Sequence, residues 1–150
     1  MGVACGIALA LKRRKRKERV FVLVGDGELY EGSIWEAVMF ASEHRLDNLI
    51  LIIDNNKACM LDYCKNIINL EPLDEKFRAF RWDTMTVDGH DVSQLYSAIS
   101  TMGQDYGGKP KVLIANTVKG KGISALESDP LSHIRNIKPE DIDSVIAELR

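Results

Sequence analysis

Two five-residue runs, Val20-Phe21-Val22-Leu23-Val24 and Leu49-Ile50-Leu51-Ile52-Ile53, contain no polar side chain. A strand with one wet face alternates apolar and polar residues. Runs without alternation predict strands buried on both faces, the habit of parallel sheets covered by helices. Each run stops at a polar cluster, Gly25-Asp26-Gly27 after the first and Asp54-Asn55-Asn56 after the second. Trp82 to Val87 and Val112 to Ala115 read as two further strands. They stop at Asp88-Gly89-His90-Asp91 and at Asn116-Thr117-Val118-Lys119-Gly120-Lys121-Gly122.

Helical patterns fill the intervals. Val3 to Leu11 is small and aliphatic and can run on into the basic residues that follow. Ser33-Ile34-Trp35-Glu36 reads as a capping box, with Ile34, Trp35, Val38, Ala41 and Leu46 at helical spacing behind it. Residues 54–73 show no period, and Glu75 to Phe80 predicts a short helix. Asp91 caps a helix carrying Val92, Leu95, Tyr96, Ile99 and Met102, with Gln94 at the capping-box position. The segment after Gly122 reads as irregular until Pro139 opens a last helix, whose apolar face is Ile142, Val145, Ile146 and Leu149. Strands alternating with helices predict an α/β fold, a parallel sheet with helices on both faces, in one domain over residues 1–150. In such sheets ligands sit at the carboxyl ends of the strands, where all four polar clusters fall.

A net charge of −2 gives no global attraction to nucleic acid or to an acidic membrane. The basic run Lys12-Arg13-Arg14-Lys15-Arg16-Lys17 reads as a solvated helix end, where cations suit the negative end of the helix dipole. Cys5, Cys59 and Cys64 are odd in number, and Cys59-x4-Cys64 lacks a second pair to complete a zinc site. Reduced thiols and a cytoplasmic location are therefore expected. The apolar stretch Met1 to Leu11 is too short to span a bilayer, and its basic residues follow it rather than precede it, the reverse of a secretory signal.

The first cluster is not a dinucleotide fingerprint, because Gly32 comes two positions late and Asp26 would set negative charge beside a pyrophosphate. It is not a P-loop, because no lysine stands between Gly32 and Ser33. An acid at a phosphate position makes sense when a divalent cation lies between the two. Mg²⁺ takes six oxygens and usually combines one or two protein carboxylates with substrate phosphates and water. Asp26, an amide oxygen from Asn55 or Asn56, and a nearby backbone carbonyl could supply half that shell.

Gly25-Asp26-Gly27 followed by Asn56 resembles the thiamine diphosphate and Mg²⁺ signature. The longer pattern is similar to the N-terminal subunit of transketolase. It comprises Gly25 through Ala37, then Leu46-Asp47-Asn48-Leu49-Ile50, Asp54-Asn55-Asn56-Lys57, Asp88-Gly89-His90-Asp91 and Val118-Lys119-Gly120-Lys121-Gly122. The resemblance implies a thiamine diphosphate-binding fold, with Mg²⁺ held by Asp26, Asn56 and the carbonyl of Ala58. Gly25 and Gly27 would lie against the diphosphate. Glu31 resembles the acid that supports the subunit interface near the cofactor, and His133 the histidine that reaches substrate. The implied activity is transfer of a two-carbon ketol unit between sugar phosphates, together with a separate pyrimidine-binding partner subunit in a homo- or hetero-oligomer. A non-catalytic remnant of the same fold is the alternative of a different class, and 1-deoxy-xylulose-phosphate synthase the neighbouring enzymatic one.

The chain also departs from the family pattern. Met1 falls inside the helix that follows the family's glycine-rich turn, so that turn is expected from another chain or not at all. Ser132-His133-Ile134 stands where Trp-His-Gly is common. Cys59 replaces a usual glutamine, Asp62 a usual glycine, and Arg81 a glycine before Trp82, which is expected to change the turn into the third strand.

Overall fold

The computed structural model describes residues 1–104, 107–134 and 136–149. Strands β1 (Val20–Gly25), β2 (Leu49–Asn55), β3 (Asp83–Asp88) and β4 (Lys111–Asn116) form a parallel sheet in the order β1-β2-β4-β3. The helices are α1 (Gly2–Arg13), α2 (Gly32–Glu43), α3 (Cys64–Ile67), α4 (Leu73–Ala79), α5 (Val92–Gln104), α6 (Ser124–Glu127) and α7 (Ile142–Glu148). Successive strand residues point to opposite faces, and each face has its own core. Val24, Leu49, Leu51, Ile53, Val112 and Ile114 pack against Cys5 and Ala8 of α1, Ile34 and Val38 of α2, and Leu73 and Phe77 of α4. Ile50 and Leu113 pack on the other side against Ala98 and Met102 of α5. Full burial of such a side chain stabilises by about 1.5–3 kcal/mol.

An aromatic group joins α2 to α4. Trp35 lies 5.4 Å from Phe77 and 5.9 Å from Phe80, and Phe77 meets Trp82 edge-on at 5.7 Å. Both indole N–H groups donate to carbonyls, Trp35 to Leu29 at 2.7 Å and Trp82 to Val38 at 3.0 Å. Those bonds remove the cost of burying an unpaired donor.

Several expectations are corrected. β1 is buried on one face only: Phe21 and Leu23 are 50% and 69% exposed. It is an edge strand, and α5, on the face that Phe21 and Leu23 share with Ile50 and Ile52, packs on β3 and β4 toward the opposite edge. Ser33 is not the N-cap of α2. The helix starts at Gly32, with extended Glu31 as its cap residue, and the Ser33 hydroxyl donates to the Glu31 carboxylate at 3.3 Å. The first polar cluster continues as a 3₁₀ turn, Asp26–Tyr30, which brings the helix start forward. The segment after Gly122 is not wholly irregular, since it contains α6. The apolar face of α7 is largely uncovered, with Ile142, Ile146 and Leu149 45%, 43% and 59% exposed. By contrast, Asp91 caps α5 as expected, accepting the N–H groups of Ser93 at 2.9 Å and Gln94 at 3.1 Å.

Arg81 does not divert the turn away from a glycine-type conformation. It adopts the left-handed one itself, at φ 65°, with its N–H on Arg78 O at 2.8 Å and that of Trp82 on Phe77 O at 3.0 Å. Left-handed backbone costs a non-glycine residue about 1–2 kcal/mol, and glycine's extra unfolded-state entropy takes back about 0.5–1 kcal/mol. Arg81→Gly should therefore be neutral or stabilise by up to about 1 kcal/mol, raising Tm by about 2–4 °C per kcal/mol. A fall in Tm would contradict this account of the turn. In urea unfolding, Leu23→Lys should change stability by less than about 0.5 kcal/mol because the side chain is already in water. Leu51→Ala, in the core, should cost about 2–5 kcal/mol.

Candidate functional site

The parallel register sets the strand ends level. Gly25 of β1 pairs with Asp54 of β2, Asn55 of β2 with Asn116 of β4, and Asp88 of β3 with Asn116. A cavity of about 500 Å³ opens above the β1 and β2 ends. Gly25, Asp26, Gly27 and Glu31 line it from the first cluster, Asn56 and Ala58 from the second, and His133 from the segment after α6. All seven residues singled out in the sequence thus face one space. Asp54, Cys59 and Lys119 line it too.

Asp26 is 6% exposed, and its Oδ2 accepts the Lys57 N–H at 2.6 Å. Lys57 reaches that position in left-handed backbone, at φ 65°. Burial pushes the Asp26 carboxyl above the usual range, and the charge of Asp54 adds to the rise. Hydrogen bonds from the Lys57 and Gly27 N–H groups and from the Cys64 thiol work against it. Asn56 donates its amide to Asp54 Oδ2 at 3.0 Å, and its Oδ1 accepts the Ala58 N–H at 3.0 Å. Asp54 also accepts the Thr117 hydroxyl from the β4 end. A close approach fixes the glycine at 27, because a Cβ there would sit 3.3 Å from Cys59 Cβ.

Strand periodicity separates the two asparagines. Asn55 points the other way, 3% exposed, and donates to Asn116 Oδ1 at 3.0 Å and Glu71 Oε1 at 3.2 Å. It lines a second cavity of about 430 Å³, which shares Asp26 with the first. Glu71 also pairs with Lys57, so Asn55 belongs to the bracket under the loop that carries Asn56.

Chemically, the arrangement is a buried carboxylate beside a second acid, an amide on the next strand end, and a lysine across the opening. That donor set fits a hard cation shared with an oxyanion, since two neighbouring carboxylates favour positive charge between them. No three His, Cys, Asp or Glu side chains gather as a metal cage among the described residues, so an incoming ligand would complete such a shell.

Cys64 was not picked out from the sequence as a site residue. Its thiol, pushed up to about 11 chiefly by burial, stays protonated and donates toward Asp26. The aperiodic stretch 54–73 hid this contact. An Ala58–Tyr63 bridge folds the stretch back on itself, with Cys59 N–H on Asp62 O at 3.0 Å and Cys64 N–H on Lys57 O at 2.8 Å. The only sequence signal was the polar spacing around Asp62, whose carboxylate accepts the Tyr63 N–H at 2.6 Å. The thiols of Cys5, Cys59 and Cys64 are all free.

Residues 13–149 match the family model described as transketolase, thiamine diphosphate binding domain. The chain is 40% identical over 148 residues to an apulose-4-phosphate transketolase subunit from Actinobacillus succinogenes, covering 99% of this chain and 53% of that protein. It is 40% identical over 146 residues to the 6-deoxy-6-sulfo-D-fructose transketolase subunit SqwG of a Clostridium species, covering 97% of this chain and 53% of that one. Among solved structures it superposes on transketolase from Campylobacter jejuni with a TM-score of 0.87 at 29% identity, over 97% of this chain and 24% of the other. The chain spans about half the length of the curated relatives it matches. With the family model matching nearly its whole length and the fold agreeing, this chain belongs to the transketolase thiamine diphosphate-binding domain family.

Proposed function

We propose that this chain is the diphosphate-binding component of a split transketolase, gripping thiamine diphosphate through Mg²⁺. The observation that carries the reading is Asp26, a carboxylate nearly removed from water beside Asp54, in a cavity shared with Asn56, Lys119 and His133. Asp26, Asn56 and the carbonyl of Ala58 would hold Mg²⁺. Gly25 and Gly27 leave room for the diphosphate. Lys119 offers it a positive charge, and His133 faces substrate across the same cavity. When bound, the cofactor supplies the carbon nucleophile for moving a two-carbon ketol unit from a ketose phosphate to an aldose phosphate. The protein's part is to place that group and hold charge around it.

Two observations support a partner chain. Apolar side chains rim the cavity, with Met60, Leu61 and Ile67 58%, 74% and 40% exposed, more than an isolated surface needs beside a polar site. Glu31 lines the same mouth, where it would meet a neighbouring subunit. The similar proteins named as subunits of transketolases agree with a partner, which we take to be the pyrimidine-binding subunit.

Thermal unfolding with thiamine diphosphate and Mg²⁺ tests the reading, first on the chain alone and then with that partner. A ligand at a hundred times its Kd stabilises by about 2.7 kcal/mol, an easily read rise in Tm. No rise in either preparation would leave a non-catalytic member of the fold as the better reading.

Asp26→Asn should abolish the rise while making the ligand-free chain more stable at neutral pH. The sign follows from the carboxyl's raised folded-state pKa. Such a group favours folding fully below its unfolded value, and the advantage is lost as pH climbs through the folded value. The gain in Tm from Asp26→Asn should therefore be present at pH 7 and shrink on acidification toward about pH 4, near aspartate's unfolded pKa. A gain that does not change with pH would separate it from Asp26 ionisation.

A further inference from the structure

The loop after β4 reaches the candidate site with one side chain, Lys119, which lines both the cavity above Asp26 and an adjoining one of about 470 Å³. The two cavities share Asp54 and Asn56. Where that ammonium points depends on how the loop backbone is held. On one side the Thr117 hydroxyl bonds Asp54. On the far side the chain turns at Gly120, φ 74°, where the added Cβ of any other residue would collide with Leu126. Glu127 then accepts the Gly122 N–H at 2.8 Å and pairs with Lys121 at 3.6 Å.

Between these points the loop is tied to the β3–α5 turn by one side chain. The Val118 N–H donates to His90 Nε2 at 2.8 Å, at the peptide next to Lys119. The turn that carries the imidazole is itself held by backbone bonds. The His90 backbone N–H donates to Asp88 Oδ1 at 2.9 Å, and the Gly89 backbone N–H to Asn116 O at 2.7 Å. A side chain at 89 would collide with Thr117 Cγ2 and meet Asn116 O at 3.0 Å, so this turn lies flush against the β4 exit. With Nε2 accepting, the ring proton sits on Nδ1, and His90 acts here as a neutral acceptor.

We propose that His90 is a positioning residue: by accepting the Val118 N–H it fixes the backbone that aims Lys119 at an oxyanion held over Asp26 and Asn56. This rests on the diphosphate-binding reading above. His90 does not line the cavity above Asp26; it lines the adjoining one. It acts through one peptide group, so another acceptor at the same reach should replace it. Glutamine places Oε1 near the position of Nε2, whereas alanine leaves the Val118 N–H without its partner.

The test uses the chain with its pyrimidine-binding partner and inorganic pyrophosphate with Mg²⁺ as the probe. Binding is measured by calorimetry, and exchange of the Val118 amide by NMR. His90→Ala should weaken pyrophosphate binding by about three- to tenfold, the range expected for losing one neutral hydrogen bond. It should also speed Val118 amide exchange. His90→Gln should restore both to near wild type. In a Lys119→Ala background, His90→Ala should have no further effect on affinity while still exposing the amide, which a merely structural role would not produce.

If wild type binds but His90→Ala binds equally well, or His90→Gln fails to rescue, or the two losses simply add, the positioning role is overturned and the cofactor reading stands. If the wild-type assembly binds no pyrophosphate, the cofactor reading falls and takes this inference with it. Should His90→Ala fail to fold, His90→Leu, which keeps the bulk but offers no acceptor, takes its place in the rescue comparison and in the Lys119→Ala cycle, with the same outcomes deciding.

Discussion

Parallel pairing of β1 with β2 and of β2 with β4 is the constraint on which the rest depends. The register puts Gly25 beside Asp54 and Asn55 beside Asn116, so three chain segments distant in sequence end at the same height. Parallel strands have equally spaced ladder bonds and no hairpin to close them, so each connection must cross the sheet and return at the same end. The crossing helices α2 and α4, together with α1 ahead of β1, bury Val24, Leu51 and Val112. Hydrophobic packing thereby supplies the stability, and the strand ends are left free for polar groups that would weaken a core.

Those polar groups are held in internal bonds rather than left to solvent. Asp26 takes the Lys57 N–H, Asn56 bridges Asp54 and Ala58, and Asn55 ties β2 to β4 and to Glu71. Neutral donors keep the Asp26 carboxylate in place without cancelling its charge. A site of this kind is less stable empty than an apolar one would be, and the difference is available to a cation. Internal partners continue into the β4 loop, where Thr117 bonds Asp54 and Asn55 O, the Val118 N–H bonds His90, and the Gly122 N–H bonds Glu127.

Much of the fold could be read from the sequence because its cues are local. Unbroken apolar runs marked β1 and β2, and Asp91 with Gln94 marked the start of α5. The features that were misread depend on neighbours. Val20 to Val24 is equally apolar at every position, yet only the sheet order decides that Phe21 and Leu23 have nothing over them. The Ser33 capping pattern is locally sound, but the 3₁₀ turn after Gly25 starts α2 two residues earlier and gives the cap position to Glu31. The period-2 strand geometry that parts Asn55 from Asn56 was hidden until β2 proved to run two residues beyond its apolar segment.

The sequence by itself determined the α/β class, the family, and the residue types gathered at the strand ends, because hydrophobic period and motif spacing are properties of contiguous residues. Tertiary structure alone decided that Cys64 lies beside Asp26, that His90 accepts a bond from the loop of Lys119, and that one face of β1 lies open. Each of these follows from which segments meet in space, and meeting in space is set by sheet order and register rather than by any stretch of chain read alone.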